Sequence, residues 1–177
     1  MNARRESEAT PMKNRTTVER KSERELVVTR TFNGPAHIVF DAWTKPELLK
    51  RWWTPKSFGI SFVSCEADVR TGGTYRFVFS HPSSPDPIAF FGKYIEVVPN
   101  ARLVWTNDEG EGDGAVTTVT FEQEGDTTLL VLRELYPSKQ ALDEAIASGS
   151  TGTSGAKEQF ELLDELLAAL DASAPRS

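Results

Sequence analysis

The stretch RTFNGPAHIVFDAWTKPELLKRWW, Arg30 to Trp53, holds a strand end, two helix starts and three of the chain's four tryptophans. Just upstream, ELVVTRTF (Glu25–Phe32) is rich in β-branched residues and reads as a strand. NGP breaks it. Pro35 suits the first turn of a helix, where a missing N–H costs nothing, and that helix is predicted to run to about Trp43. Val39, Ala42 and Trp43 fall on one of its faces at i, i+3 and i+4. Pro46 opens a second short helix, and Glu47 favours its positive end. Leu49 reaches Trp52 at i+3 and Trp53 at i+4. Neighbouring helical residues point about 100° apart, so the two tryptophans cannot share a role. Trp53 is expected to hold the helix against a sheet and Trp52 to border an opening, with Pro55 ending the element.

Downstream the period changes to two. SFVSCEADV leads through RTGG into TYRFVFS, which places Tyr75, Phe77 and Phe79 on one face. HPSSPDP reads as a Pro-rich hairpin loop barred from a central strand. IAFFGKYIEVV and RLVWTND flank the tight connection PNA, with Leu103 and Trp105 on the same side. After the acidic loop DEGEGDG, AVTTVTFEQE and TTLLVLRELY pair across GD, a strong hairpin signal. These segments give seven strands, six of them in an antiparallel meander that follows the two helices. Ser138 can cap a helix carrying Leu142, Ala145 and Ile146, and GSTGTSG reads as a flexible connection. The last helix, Ala156 to Leu170, buries Phe160, Leu163, Leu167 and Leu170, with Leu162 and Leu166 widening the stripe. A helix this apolar on one side must lie across a sheet.

The chain has 177 residues, 38% hydrophobic and 26% charged, which suits one globular domain spanning residues 25–171. Residues 1–24 carry seven Lys/Arg and four Asp/Glu with almost no apolar residues, and read as a disordered tail; residues 172–177 read as a frayed end. The net charge of −6 argues against nucleic acid as a partner. A single cysteine, Cys65, cannot form an internal disulfide, and no apolar run approaches the roughly 20 residues of a membrane span. The start lacks a signal-peptide pattern. The expected compartment is the cytoplasm.

The order of strand, two short helices, six-stranded meander and long C-terminal helix resembles the α+β helix-grip fold of the START-like (SRPBCC) superfamily. RTFNGPAHIVFDAWTKPELLKRWW is similar to the opening of its heat-shock protein 90 ATPase activator homologue branch. ADVRTGGTYRFVF, FGKYIEVVPNARLVWT and VTTVTFEQEGDTTLLVL resemble the branch's later strands in order and spacing, so the resemblance covers about Glu25 to Leu170. It implies a curved antiparallel sheet gripping the last helix, and a lipid-like, polyketide-like or flavonoid-like ligand between them. Two departures stand out. Lys45 occupies the place of a capping Asp before Pro46, and GAKEQFELLDELL lacks the tryptophan usual after its glycine. The chain also lacks the separate domain through which the eukaryotic activator mainly engages its chaperone, which weakens the case for a chaperone partner.

Few residues point to catalysis. Nucleophilic chemistry needs a serine or cysteine beside an oriented base, and neither His37 nor His81 sits in such a motif. Cys65, among Phe62 and Val63, reads as a small core residue. No ligand set for a metal is evident, DEGEGDG lacks the alternate ligands of a calcium loop, and GSTGTSG lacks a phosphate-loop lysine. No cofactor is expected. Arg133, in the last strand, either meets a carboxylate or phenolate in a pocket or lies on the outer face paired with a glutamate.

The aromatic residues carry the main expectation. An apolar cavity between sheet and last helix would be lined by Trp43, Trp52, Phe62, Tyr75, Phe77, Phe79, Phe91, Trp105, Arg133, Phe160, Leu163 and Leu167, and would take a hydrophobic small molecule. The alternatives are a closed core with no functional void, a protein-interaction module, chaperone-related or otherwise, using the sheet edge or the exposed tryptophan, and a cyclase or hydrolase working in the same cavity.

Overall fold

The computed structural model describes residues 16–54, 56–108, 114–148 and 155–173. Among them, eight strands form one antiparallel sheet: β1 (Thr17–Arg20), β2 (Glu25–Asn33), β3 (Ser61–Ala67), β4 (Thr74–His81), β5 (Ser84–Val98), β6 (Arg102–Thr106), β7 (Val116–Glu124) and β8 (Thr127–Leu135). The helices are α1 (Ala36–Thr44), α2 (Pro46–Trp52), α3 (Lys139–Ser148) and α4 (Ala156–Ser173), with a 3-10 turn over Lys56–Phe58. The spatial order is β1-β2-β8-β7-β6-β5-β4-β3. Strands β3 to β8 therefore follow one another as a meander, and β8 returns beside β2. The architecture is the α+β helix-grip arrangement expected from the sequence.

Alternation decides the buried face. Leu26, Val28 and Phe32 on β2, Leu130 and Leu132 on β8, Val119 and Phe121 on β7, and Leu103 and Trp105 on β6 all turn inward and are buried. Each such side chain contributes about 1.5–3 kcal/mol. Helix α4 lies over β2 and against α2, and Phe160 meets Phe32 edge to face with ring centroids 5.3 Å apart. Gly125-Asp126 closes the β7–β8 hairpin, with Gly125 at φ +61. In the RTGG turn, a Cβ on Gly73 would lie 1.9 Å from the Asp68 carbonyl oxygen, so the turn closes only over glycine. Ser138 Oγ accepts from the Ala141 N–H at 3.0 Å and caps α3 as expected. Lys45, at the N-cap of α2, makes no side-chain cap bond.

Three boundaries differ from those read in the sequence. The segment taken as a disordered tail contains β1, paired to β2 from Thr17↔Thr29 to Arg20↔Leu26. All four β1 residues are exposed, so no apolar period marks it. It forms because β2 would otherwise present a row of unpaired backbone groups at the sheet edge. Arg20 fastens it by donating to the Glu23 carbonyl at 2.9 Å and pairing with Asp143 at 2.7 Å. Second, the supposed Pro-rich loop is mostly strand, since β4 runs to His81 and β5 starts at Ser84. Pro85 and Pro87 are tolerated because that part of β5 pairs only with β4, while the β6 ladder begins at Tyr94. Third, α4 continues to Ser173, past the end predicted near Leu170. The rest of the expected N-terminal tail (1–15), the centre of the acidic loop (109–113), most of GSTGTSG (149–154), Pro55 and residues 174–177 lie outside the described residues. No helix among the described residues is long and apolar enough to cross a membrane.

Candidate functional site

Strands β3, β4 and β5 build an aromatic trough by register. Residues directly opposite in an antiparallel ladder share a face. Cys65, Phe77 and Phe90 form one cross-strand row, and Phe62, Phe79 and Ile88 form the next. A third row, Ala67, Tyr75 and Gly92, continues the same face. Phe77, Phe79 and Tyr75 are buried as its floor, Phe62 and Cys65 are half-buried, and Phe90 and Ile88 remain 40% and 42% exposed. The rings touch along its length: Phe62 lies 4.5 Å from Phe79 and 5.9 Å from Phe77, and Phe90 lies 5.4 Å from Phe79. A Cβ on Gly92 would fall 2.0 Å from the Thr106 carbonyl oxygen and 2.9 Å from the Tyr75 ring. Glycine there lets the ring lie against β5 while the Tyr75 hydroxyl donates to that carbonyl at 2.6 Å.

Trp53 walls the trough at its deep end, 5.6 Å from Phe77. Its backbone is tied to α4, because the Gln159 Nε2 donates to the Trp53 carbonyl. The next turn is tied as well: the Ser57 N–H donates to Glu158 at 3.0 Å, and the Ser57 bonds hold that carboxyl below its usual range. Beyond Trp53 lies a dense cluster centred on Trp43, which is 4% exposed. Its ring meets those of Trp52 (4.7 Å), Trp53 (5.8 Å), Trp105 (6.1 Å), Phe121 (6.3 Å) and Phe160 (6.1 Å). Leu163 and Leu167 of α4 join the same core. The Trp43 indole nitrogen has no hydrogen-bond partner, a condition that costs about 1–3 kcal/mol in a closed interior.

The trough carries no charge on its floor at neutral pH. Burial pushes the Cys65 thiol up to about 11, with Lys50 opposing and Glu47 adding to the shift. Burial, helped by Cys65, pushes the Tyr94 phenol up as well. A thiol so shifted stays protonated and is a poor nucleophile.

The tryptophan roles are the reverse of those expected. Trp52 is 1% exposed, and its indole N–H donates to the Ala42 carbonyl at 2.9 Å, clamping α2 to α1. Trp53 is the half-buried one. Leu49 and Trp52, three residues apart, form the buried face of α2, while Trp53 falls at its C-cap and turns toward the trough.

Of the residues expected to line a cavity, Phe62, Tyr75, Phe77 and Phe79 come together in the trough. Trp43, Trp52, Trp105, Phe160, Leu163 and Leu167 come together in the deep cluster. Two do neither. Phe91 pairs with Arg76 and lies 41% exposed on the outer face, because alternation sends it opposite to Phe90. Arg133 also lies on the outer face, 3.5 Å from Glu25, which is the second of its two expected placements. Phe90 and Ile88 escaped the sequence reading, although aligning IAFF against TYRFVF would have placed them, and Trp53 is expected there as a packing residue instead.

The buried arginine is Arg30. It alternates with Val28 and Phe32 on the inward face of β2 and pairs with Asp164 of α4. Its Nη1 donates to Thr16 Oγ1 at 3.0 Å, and its guanidinium sits 5.3 Å from the Phe32 ring centre. Desolvation lowers its pKa, opposed by Glu161.

Groups for catalysis are sparse. Ser83 Oγ lies 2.6 Å from His81 Nδ1, but the Ser83 backbone N–H donates to the same nitrogen at 3.0 Å. That is the hydrogen bonding of a tight hairpin turn, and among the described residues no third group is seen orienting the ring. No cluster of His, Cys, Asp or Glu suited to a metal ion occurs among the described residues.

Solved structures share this fold. A protein from Rhodobacter sphaeroides is 24% identical, with TM-score 0.76, covering 88% of this chain and 99% of its own. Protein Ms6760 from Mycobacterium smegmatis is 22% identical, with TM-score 0.72 and coverage of 87% and 98%. An AHSA1-like protein from Aeromonas hydrophila is 17% identical, with TM-score 0.62 and coverage of 85% and 99%. At these identities the likeness is one of fold. No curated protein matches the chain. The family described as "Activator of Hsp90 ATPase homolog 1-like protein" matches residues 33–168, from the end of β2 into α4. With strands β3 to β8, the paired early helices and most of the gripping helix inside that match, the chain belongs to the Activator of Hsp90 ATPase homolog 1-like family.

Proposed function

We propose that this protein binds a hydrophobic small molecule in the β3–β4–β5 trough, with Trp53 at its inner end, and acts as a carrier or ligand-responsive regulator. The observation that carries this reading is the inward-facing aromatic surface left partly open at Trp53, Phe62, Ile88 and Phe90. Core positions of a closed domain would be covered, and exposed aromatic patches with polar rims mark binding sites. The proposed site differs from the cavity under the last helix read in the sequence. Around Phe160 the space between α4 and the sheet is occupied by Trp43 and Trp52, which supports assigning the ligand to the other limb of the sheet.

The experiment is native mass spectrometry of freshly purified protein, followed by thermal titration with any co-purified compound. Saturating ligand at a hundred times its Kd should stabilise the fold by about 2.7 kcal/mol. Phe90→Ser should abolish that gain while leaving the melting temperature of the free protein nearly unchanged. Capture of a folded partner, with no small molecule stabilising the protein, would replace this reading with a protein-interaction one. The outer strip of Phe91 and Ile95 would then be the first surface to mutate.

A further inference from the structure

We propose that the Trp43 indole N–H is the hydrogen-bond donor that anchors the ligand, and that the ligand is a neutral, planar aromatic molecule carrying a hydrogen-bond acceptor. The inference deepens the trough reading and rests on it. Buried polar groups are almost always paired, and several interior donors among the described residues here are. Trp52 Nε1 donates to Ala42, the Tyr75 hydroxyl to Thr106 and the Thr128 hydroxyl to Gly34. Among the described residues, the buried side-chain nitrogens without a partner are Trp43 Nε1 and Arg30 Nε. The Arg30 guanidinium already spends its other nitrogens on Asp164 and Thr16, so Trp43 is the side chain whose whole donor capacity is unused.

Its position relative to the trough fits a ligand site. Trp53 touches Trp43 on one side and Phe77 on the other, at 5.8 and 5.6 Å. The half-buried Trp53 ring stands between the trough and the deep donor, and on this proposal it turns aside when the ligand binds. The ring geometry sets the class of occupant. The pairs flanking Trp53 meet edge to face, at 88° and 72°, which suits a flat aromatic body replacing one ring of the series. The floor groups Cys65 and Tyr94 stay uncharged, so neither would balance a charged ligand.

The test compares 9-fluorenone with fluorene, two planar probes of nearly equal shape of which only the first has an acceptor. The expected result is binding of both, with fluorenone about 3–10-fold tighter, the span of one hydrogen bond's net contribution. The Trp43 indole 1H–15N resonance should move downfield with fluorenone alone. In Trp43→Phe the preference should collapse to near one. The wild-type resonance carries the same information should that variant fold poorly. Equal affinities with no selective shift would overturn the anchoring role while leaving the trough reading intact. An indole proton bonded to a fixed water that persists in the fluorenone complex would overturn it too. Failure of both probes to bind would remove the trough reading and this inference together.

Discussion

Trp52 and Trp53 are adjacent in sequence, yet the first is enclosed by α1, α4 and Trp43 while the second keeps an open side. Trp52→Ala should therefore cost about 3–5 kcal/mol, as large core truncations do, and also free the Ala42 carbonyl. Trp53→Ala should cost about 1–2 kcal/mol while changing ligand uptake. Urea unfolding of both variants checks this, and equal losses would contradict the division of roles. Cys65 gives a pH signature. Its thiol is raised in the folded state from 9.0 to about 11, so its contribution to stability is complete below pH 9. It is lost as pH rises from 9 through 11, because the unfolded thiol ionises first. Tyr94 shifts in the same direction. The urea midpoint of the native protein should fall across that window, and more steeply than that of Cys65→Ala. Parallel curves would refute the assignment. At this scale the sequence was partly legible. The i, i+3, i+4 spacing showed that the two tryptophans differ, but which one turns inward depends on where α2 stops and what α4 covers.

Elements are joined by fewer groups than they contain. Arg30 and Asp164 tie β2 to α4 across the core face. Removing one partner of a buried pair strands the other charge, whereas removing both can be nearly neutral. Asp164→Ala should accordingly cost about 3 kcal/mol, and the double variant Arg30→Met/Asp164→Leu should recover most of it in the same unfolding assay. A double variant no better than the single would indicate that the pair itself stabilises the grip. Strand β1 makes the opposite case. It buries nothing of its own, so deleting residues 1–21 should lower stability by only about 1–2 kcal/mol. The exposed edge of β2 should then drive self-association, detectable by sedimentation velocity. A deleted chain that stays monomeric would show the edge is protected in another way. Neither feature stood out in the sequence, for different reasons. Arg30 looked like one charge in a β-branched run until alternation with Val28 and Phe32 is followed. β1 has no apolar period at all, because a backbone need creates it.

For the whole molecule, the meander, the two helices between β2 and β3 and the terminal helix were legible because each has a strong local cause. Period-two alternation builds the strands, prolines stand at or beside both early helix starts, glycine turns set the hairpins, and one apolar stripe makes the last helix amphipathic. Those causes act within a few residues, so the chain by itself determined the order of the elements from β2 onward, the buried face of most strands and the family. The tertiary structure decided which inward aromatic faces stay partly exposed. Cavity shape is a difference between what the sheet encloses and what the helices fill, and it depends on packing among residues far apart in sequence. Trp43, Trp52 and Phe160 meet only after folding and fill one limb of the sheet. Phe90 and Ile88 stay partly exposed on the other limb, where no helix among the described residues packs closely on β5. A sequence can state which side chains turn inward, but only their joint arrangement says which inward faces remain open to a ligand.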